Sequence, residues 1–211
     1  MNEAPLAPDG LCPLCRDGLT GFDAAYTYGG YEGALRRLIH VFKYDGVTTL
    51  AEPLGRLLAR ALPRDIEFDL VVPAPMHWRR RWSRGFNQAE LLAREIGRRI
   101  SVPVKPALRR GRNTPSQAGL TSAARRRNLA GAFRVSDPKK VAGKHVLLVD
   151  DVLTTGTTAA VCARALKRAG AARVTVLTLA RADRRYWTAE VHSGDAAIPA
   201  AASSSGTEVS S

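Results

Sequence analysis

Two successive carboxylates, Asp150 and Asp151, are followed closely by Thr154, Thr155, Gly156, Thr157 and Thr158. Ionised carboxylates only accept hydrogen bonds, threonine hydroxyls can donate them, and a glycine lets backbone amides approach an anion closely. The two groups therefore suit opposite ends of one ligand. A phosphate monoester fits the hydroxyls and amides, whereas beside the carboxylates it would be repelled. A vicinal diol on the same molecule would donate to the carboxylates. Ribose 5-phosphate has both features.

Such a constellation needs a strand before it and a helix after it. Residues 146–149 are all apolar and follow Lys144 and His145, the pattern of a strand covered on both faces in a parallel sheet. A ligand site is expected at the carboxyl end of such a strand. Beyond the turn, Val161, Ala165, Leu166 and Ala169 fall at helical spacing, and Gly170 stands where a helix would stop. Thr157 or Thr158 is the expected N-cap. The first amides of that helix lack internal partners at the positive end of its dipole, which suits a phosphate. The chain has no Gly-x-x-x-x-Gly-Lys-Ser/Thr run, which disfavours a nucleoside triphosphatase loop.

The remaining periodicities give an α/β unit. Ala34, Leu35, Leu38, Ile39 and Phe42 form one face of an expected helix, with Arg36, Arg37, His40 and Lys43 away from it. Leu50, Leu54, Leu57, Leu58 and Ala61 line a second, closed by Pro63, and Leu70, Val71 and Val72 form a buried strand ending at Pro73. Residues 87–100 read as a helix with Leu92, Ile96 and Ile100 inward; strands are expected at 104–108, 133–135 and 173–179, and a short helix at 122–129. Alternating strands and helices imply parallel pairing by right-handed crossovers. The expected organisation is an irregular arm over residues 1–25, one domain over 26–187 and a disordered tail over 188–211.

Lys and Arg number 32 against 19 Asp and Glu, a net charge of +13, so acidic partners are expected, whether phosphorylated small molecules or nucleic acid. Arg79, Arg80, Arg81 and Arg84 crowd the segment after Pro75, at the sheet edge that carries Asp150 if the sheet is parallel. Guanidinium groups there suit a pyrophosphate, and the residues alone do not choose among them. Trp78 and Trp82 interleave with these arginines, a pattern that equally suits stacking on single-stranded DNA. Residues 111–121, with Arg112 and Gln117, offer no hydrophobic anchor before Leu120 and read as a mobile lid. No apolar run is long enough to span a bilayer and no leader pattern opens the sequence, so a cytoplasmic protein without membrane insertion is expected. Three cysteines are too few for a disulfide framework. Cys12 and Cys15 have the spacing of half a zinc site and would need His40 or a second chain to complete it, the alternative being a flexible arm. Cys162 reads as a buried structural thiol.

The strand, the two acids and the Thr-Thr-Gly-Thr-Thr run resemble the phosphoribosyl pyrophosphate (PRPP) signature of type I phosphoribosyltransferases. Leu35-Arg36-Arg37-Leu38-Ile39 with Phe42-Lys43-Tyr44, the Pro73-Ala74-Pro75 turn, Arg84-Gly85-Phe86-Asn87-Gln88, Arg112-Asn113-Thr114 and Gly131-Ala132-Phe133 resemble the ComF competence family within that superfamily. The resemblance implies a type I phosphoribosyltransferase-like fold, with a mostly parallel central sheet flanked by helices. It implies Mg2+ brought with PRPP, and transfer of ribosyl phosphate to a nitrogen nucleophile with Asp150 and Asp151 as catalytic residues. Thr154, Thr155, Gly156, Thr157 and Thr158 would hold the phosphate, Arg84 and His77 the pyrophosphate, and Arg112 and Gln117 would close over the ligand. The alternative it implies is a non-catalytic accessory in DNA uptake or recombination that works with other competence proteins. Relatives of this kind often pair as homodimers.

Overall fold

The computed structural model describes residues 21–76, 85–110 and 132–182. A four-stranded sheet in the order β1-β6-β5-β2 is built from β1 (Ala24–Gly30), β6 (Arg173–Arg181), β5 (His145–Leu153) and β2 (Leu70–Pro73), and every neighbouring pair is parallel. Among the described residues four α-helices accompany it: α1 (Gly33–Tyr44), α2 (Ala51–Ala59), α3 (Gln88–Ile100) and α4 (Thr157–Arg168). β3 (Leu108–Arg110) and β4 (Phe133–Val135) form a separate antiparallel pair. No helix among the described residues is long and apolar enough to cross a membrane.

Side chains alternate across the strands, and both faces of the sheet are buried. Val72, Val146, Leu148, Val174 and Val176 pack with Val161, Cys162 and Leu166 of α4 on one face. Val71, Leu147, Val149, Leu177 and Leu179 pack on the other with Ile39 and Phe42 of α1, Leu54 and Leu58 of α2, and Leu92 and Ile96 of α3. The expected parallel α/β architecture is therefore present.

Four local differences have physical reasons. β5 continues beyond the apolar run to Leu153, because β6 is equally long and keeps pairing: Asp150 lies opposite Thr178 and Val152 opposite Ala180. β1 was not legible, since its sequence AAYTYGG lacks alternation; its place comes from the partner β6, and it straddles the boundary expected at residue 25. The strand expected at 104–108 is replaced by one parallel bridge between Val104 and Val71, with the strand itself displaced to Leu108–Arg110. Pro103 and Pro106 flank the bridge and supply no backbone N–H for a longer ladder. On α1 the buried residues are Ile39 and Phe42, while Leu38 is exposed. The helix expected at 122–129 and the tail over 188–211 lie outside the described residues.

The chain reverses after α3 and lies directly on Gly97. A Cβ there would stand 2.3 Å from Val104 Cγ2 and 2.8 Å from the Val102 carbonyl oxygen. Gly97→Ala is expected to destabilise the fold by roughly 2 kcal/mol despite alanine's better helix propensity, because overpacking outweighs that gain of about 1 kcal/mol. Urea unfolding measures this, and an equally stable variant would contradict the packing of 101–104 on α3.

Candidate functional site

β2 and β5 are parallel neighbours, so they end at the same edge. Pro73 pairs with Val149, and the Ala74 amide donates to the Val149 carbonyl at 2.8 Å. The helix that follows β2, α3, covers one face of the sheet, while the helix that follows β5, α4, covers the other. Helices that diverge in this way leave a crevice at the carboxyl ends of the strands. The acids, the threonine-rich turn and the Pro73-Ala74-Pro75 turn all reach this edge. Asn87 fastens one wall of it: its Oδ1 accepts from the Ala89 amide at 3.1 Å as the N-cap of α3, and its Nδ2 donates to the Ala74 carbonyl at 3.2 Å.

Asp150 and Asp151 occupy consecutive strand positions and so leave β5 on opposite faces. Asp151 meets α1, where Lys43 Nζ lies 2.9 Å from its Oδ1 and both side chains are about 15% exposed. Asp150 lies on the α4 side, and its Oδ1 accepts from the Asp151 amide at 2.8 Å. Burial and the Asp151 charge push the Asp150 carboxyl up to about 7, with the Asp151 amide and Lys43 opposing the rise. Burial and the charge of Asp150 push the Cys162 thiol well above its ordinary value, which agrees with its structural role.

Gly156, rather than Thr157 or Thr158, holds the N-cap position of α4, with φ 70° and ψ −3°. That left-handed conformation strains a β-branched residue and costs glycine little. The helix start thus has no side-chain cap. Thr155 Oγ1 lies 2.9 Å from Thr157 Oγ1 and accepts only a long contact, 3.4 Å, from the Thr157 amide. A phosphate oxygen would form a shorter, charge-assisted bond with that amide. Thr154, Thr155 and Thr158 are exposed, Thr157 is half-buried and Gly156 is buried.

Sequence reasoning missed Lys43 and Gln88. Lys43 follows Ile39 by one helical turn, on the buried side of α1, and a lysine in such a row signals a carboxylate partner. Gln88 is fully buried and donates through Nε2 to the Lys43 carbonyl at 3.3 Å, while its Oε1 has no partner among the described residues. Arg84 and His77, Arg112 and Gln117, and Cys12 and Cys15 lie outside the described residues, as do Trp78 and Trp82. The stretch holding Arg112 and Gln117 leaves from Arg110 and returns to Phe133, which pair across β3 and β4. Among the described residues no group of three or more His, Cys, Asp or Glu could hold a metal ion.

Asp150 gives the site a pH signature. Its folded-state pKa lies above the value of about 3.9 for an unfolded aspartate, so the folded chain binds a proton more tightly and loses stability as pH rises from about 4 to 7. Asp150→Asn retains the acceptor and removes the charge. It is expected to match the native chain near pH 4 and to exceed it at pH 8 by on the order of 4 kcal/mol. Denaturant titrations across this range measure the difference, and a constant difference would place the raised group elsewhere.

The chain matches the family model for the phosphoribosyl transferase domain over residues 83–195. It is 37% identical over 177 residues to DNA utilization protein YhgH of Escherichia coli O157:H7, covering 81% of this chain and 77% of that protein. It is 33% identical over 180 residues to competence protein F of Haemophilus influenzae, covering 81% and 78%. A solved structure of the allosteric regulatory enzyme of purine biosynthesis overlaps 63% of this chain and 26% of that one, at 23% identity and a TM-score of 0.45.

Proposed function

Because the chain belongs to the ComF competence family of phosphoribosyl transferase domain proteins, we propose that it binds PRPP with Mg2+ and transfers ribosyl phosphate to a nitrogen nucleophile. The observation that carries this reading is the meeting, at one sheet edge, of a strand that bears two acids near its carboxyl end with a helix opened by Gly156. The 5-phosphate would sit on the Thr154 to Thr158 turn, bonded by first-turn amides and threonine hydroxyls. Asp150 and Asp151 would accept from the ribose hydroxyls, each approaching the sugar from its own side of the strand end.

In the reaction the bond from the anomeric carbon to pyrophosphate breaks, a bond from that carbon to the acceptor nitrogen forms, and the nitrogen's proton passes to solvent. Positive charge gathers on the ribose as pyrophosphate leaves, and two fixed carboxylates offset it without reorganising. Arg84 and His77 are proposed for the departing pyrophosphate, and Arg112 and Gln117 for closure over the ligand. The described donor set does not suit a resident metal, since Lys43 already engages one of the two acids. Mg2+ is therefore proposed to arrive on the pyrophosphate, keep waters, and supply charge neutralisation there.

Calorimetric titration with PRPP and Mg2+ tests this reading. Saturable heat is expected for the native chain, with affinity about tenfold weaker for each of Asp150→Asn and Asp151→Asn, since a hydrogen bond to a charged group contributes about 1.5 kcal/mol or more. No heat at millimolar ligand would exclude the enzyme reading.

The relatives' names and the charge of +13 favour a second reading, an accessory in DNA uptake or use that binds single strands through the Trp78 and Trp82 segment. Single-strand affinity is then expected to fall steeply with salt, and by roughly tenfold or more when both tryptophans become alanine. Fluorescence anisotropy measures both, and indifference to the substitutions would exclude that surface.

A further inference from the structure

Lys43 is given no role in ligand binding by the reading above, yet its ammonium lies 2.9 Å from Asp151 Oδ1. Both side chains are largely withdrawn from water, where desolvation opposes a close ion pair and much of the Coulombic gain is cancelled. Stability alone is thus a weak reason for the arrangement. Its placement is also constrained from behind. Gln88, fully buried at the start of α3, donates to the Lys43 carbonyl at 3.3 Å and leaves its own Oε1 without a partner among the described residues. A leucine there would avoid that desolvation penalty, but it would not hold the end of α1. Phe42, immediately before Lys43, packs against Phe86, so two successive residues of α1 are tied to the segment that opens α3.

We propose that Lys43 is a positioning residue of the PRPP site: held from behind by Gln88, its ammonium fixes the Asp151 carboxylate for the ribose hydroxyls and offsets the charge of the acid pair when an anionic ligand enters. The inference rests on the PRPP reading and deepens it. Without the ammonium, Asp151 can rotate and two adjacent carboxylates face a polyanion uncompensated. An arginine keeps the positive charge, although on a planar group of different shape.

Two measurements on the full chain test it. In the ligand-free protein, carboxyl-detected NMR of Asp150 reports whether the ammonium acts on the acids, because Lys43 is one of the groups holding that carboxyl down. Lys43→Met is expected to move its midpoint up by about one pH unit and Lys43→Arg to leave it near the native position. In calorimetry with PRPP and Mg2+, Lys43→Met is expected to bind about tenfold more weakly, Lys43→Arg within about threefold of native. Gln88→Leu is expected to weaken binding by about threefold without lowering the melting temperature, a split that a purely structural glutamine would not give. An unmoved Asp150 midpoint, or equal affinity of Lys43→Met and the native chain, would overturn the inference while leaving the PRPP reading intact. A native chain that fails to bind PRPP would overturn both, and the Asp150 midpoint would still report whether the ion pair exists.

Discussion

Parallel pairing of β5 between β6 and β2 is the constraint on which the rest of the structure depends. Because the strands run the same way, the end of β2, the acids of β5 and the start of α4 are delivered to one edge. The helices after β2 and β5 leave on opposite faces and do not cover what lies between. Among the described residues, none of the site has to be brought there by a long loop of its own. A shift of one residue in β5 would exchange Val146 and Leu148 with Leu147 and Val149 between the two cores and take Asp151 away from Lys43, so the register is set by the fit of each layer and by that ion pair.

The same register separates the acids. Adjacent in sequence, they belong to different layers: Asp151 faces α1 and Lys43, while Asp150 faces α4 and stands near the buried Cys162. Their electrostatic environments differ accordingly. One carboxylate has a cation against it, and the other is raised by burial and by its neighbour. A single charge is easier to keep at the strand end than two, and the fold supplies both a lysine and a shifted carboxyl to moderate the repulsion.

Much of this was legible because it was local. The apolar run before Asp150, the periodicity of α4 and the glycine-threonine turn each announce themselves within a dozen residues, and the parallel sheet follows from alternation of elements. What escaped was set at long range. β1 owes its existence to β6, not to its own pattern, and β5 outran its apolar stretch because its partner did. Lys43 was visible as part of a motif, but its carboxylate partner lies more than a hundred positions away and only the packing of α1 on the sheet joins them. The expected N-cap, Thr157 or Thr158, falls one or two residues late, because threonine's capping tendency yields to the left-handed conformation that Gly156 adopts easily.

Since Asp150 lies within a hydrogen-bonded strand rather than in the loop beyond it, the carboxylate floor is as stiff as the sheet itself. The described residues that precede residues 77–84 and 111–131 lie outside that ladder. On the proposed function, stretches outside the ladder could change in length and chemistry while the acid-bearing platform stays unchanged, so that a new recipient is recruited by rewriting a rim instead of rebuilding a core.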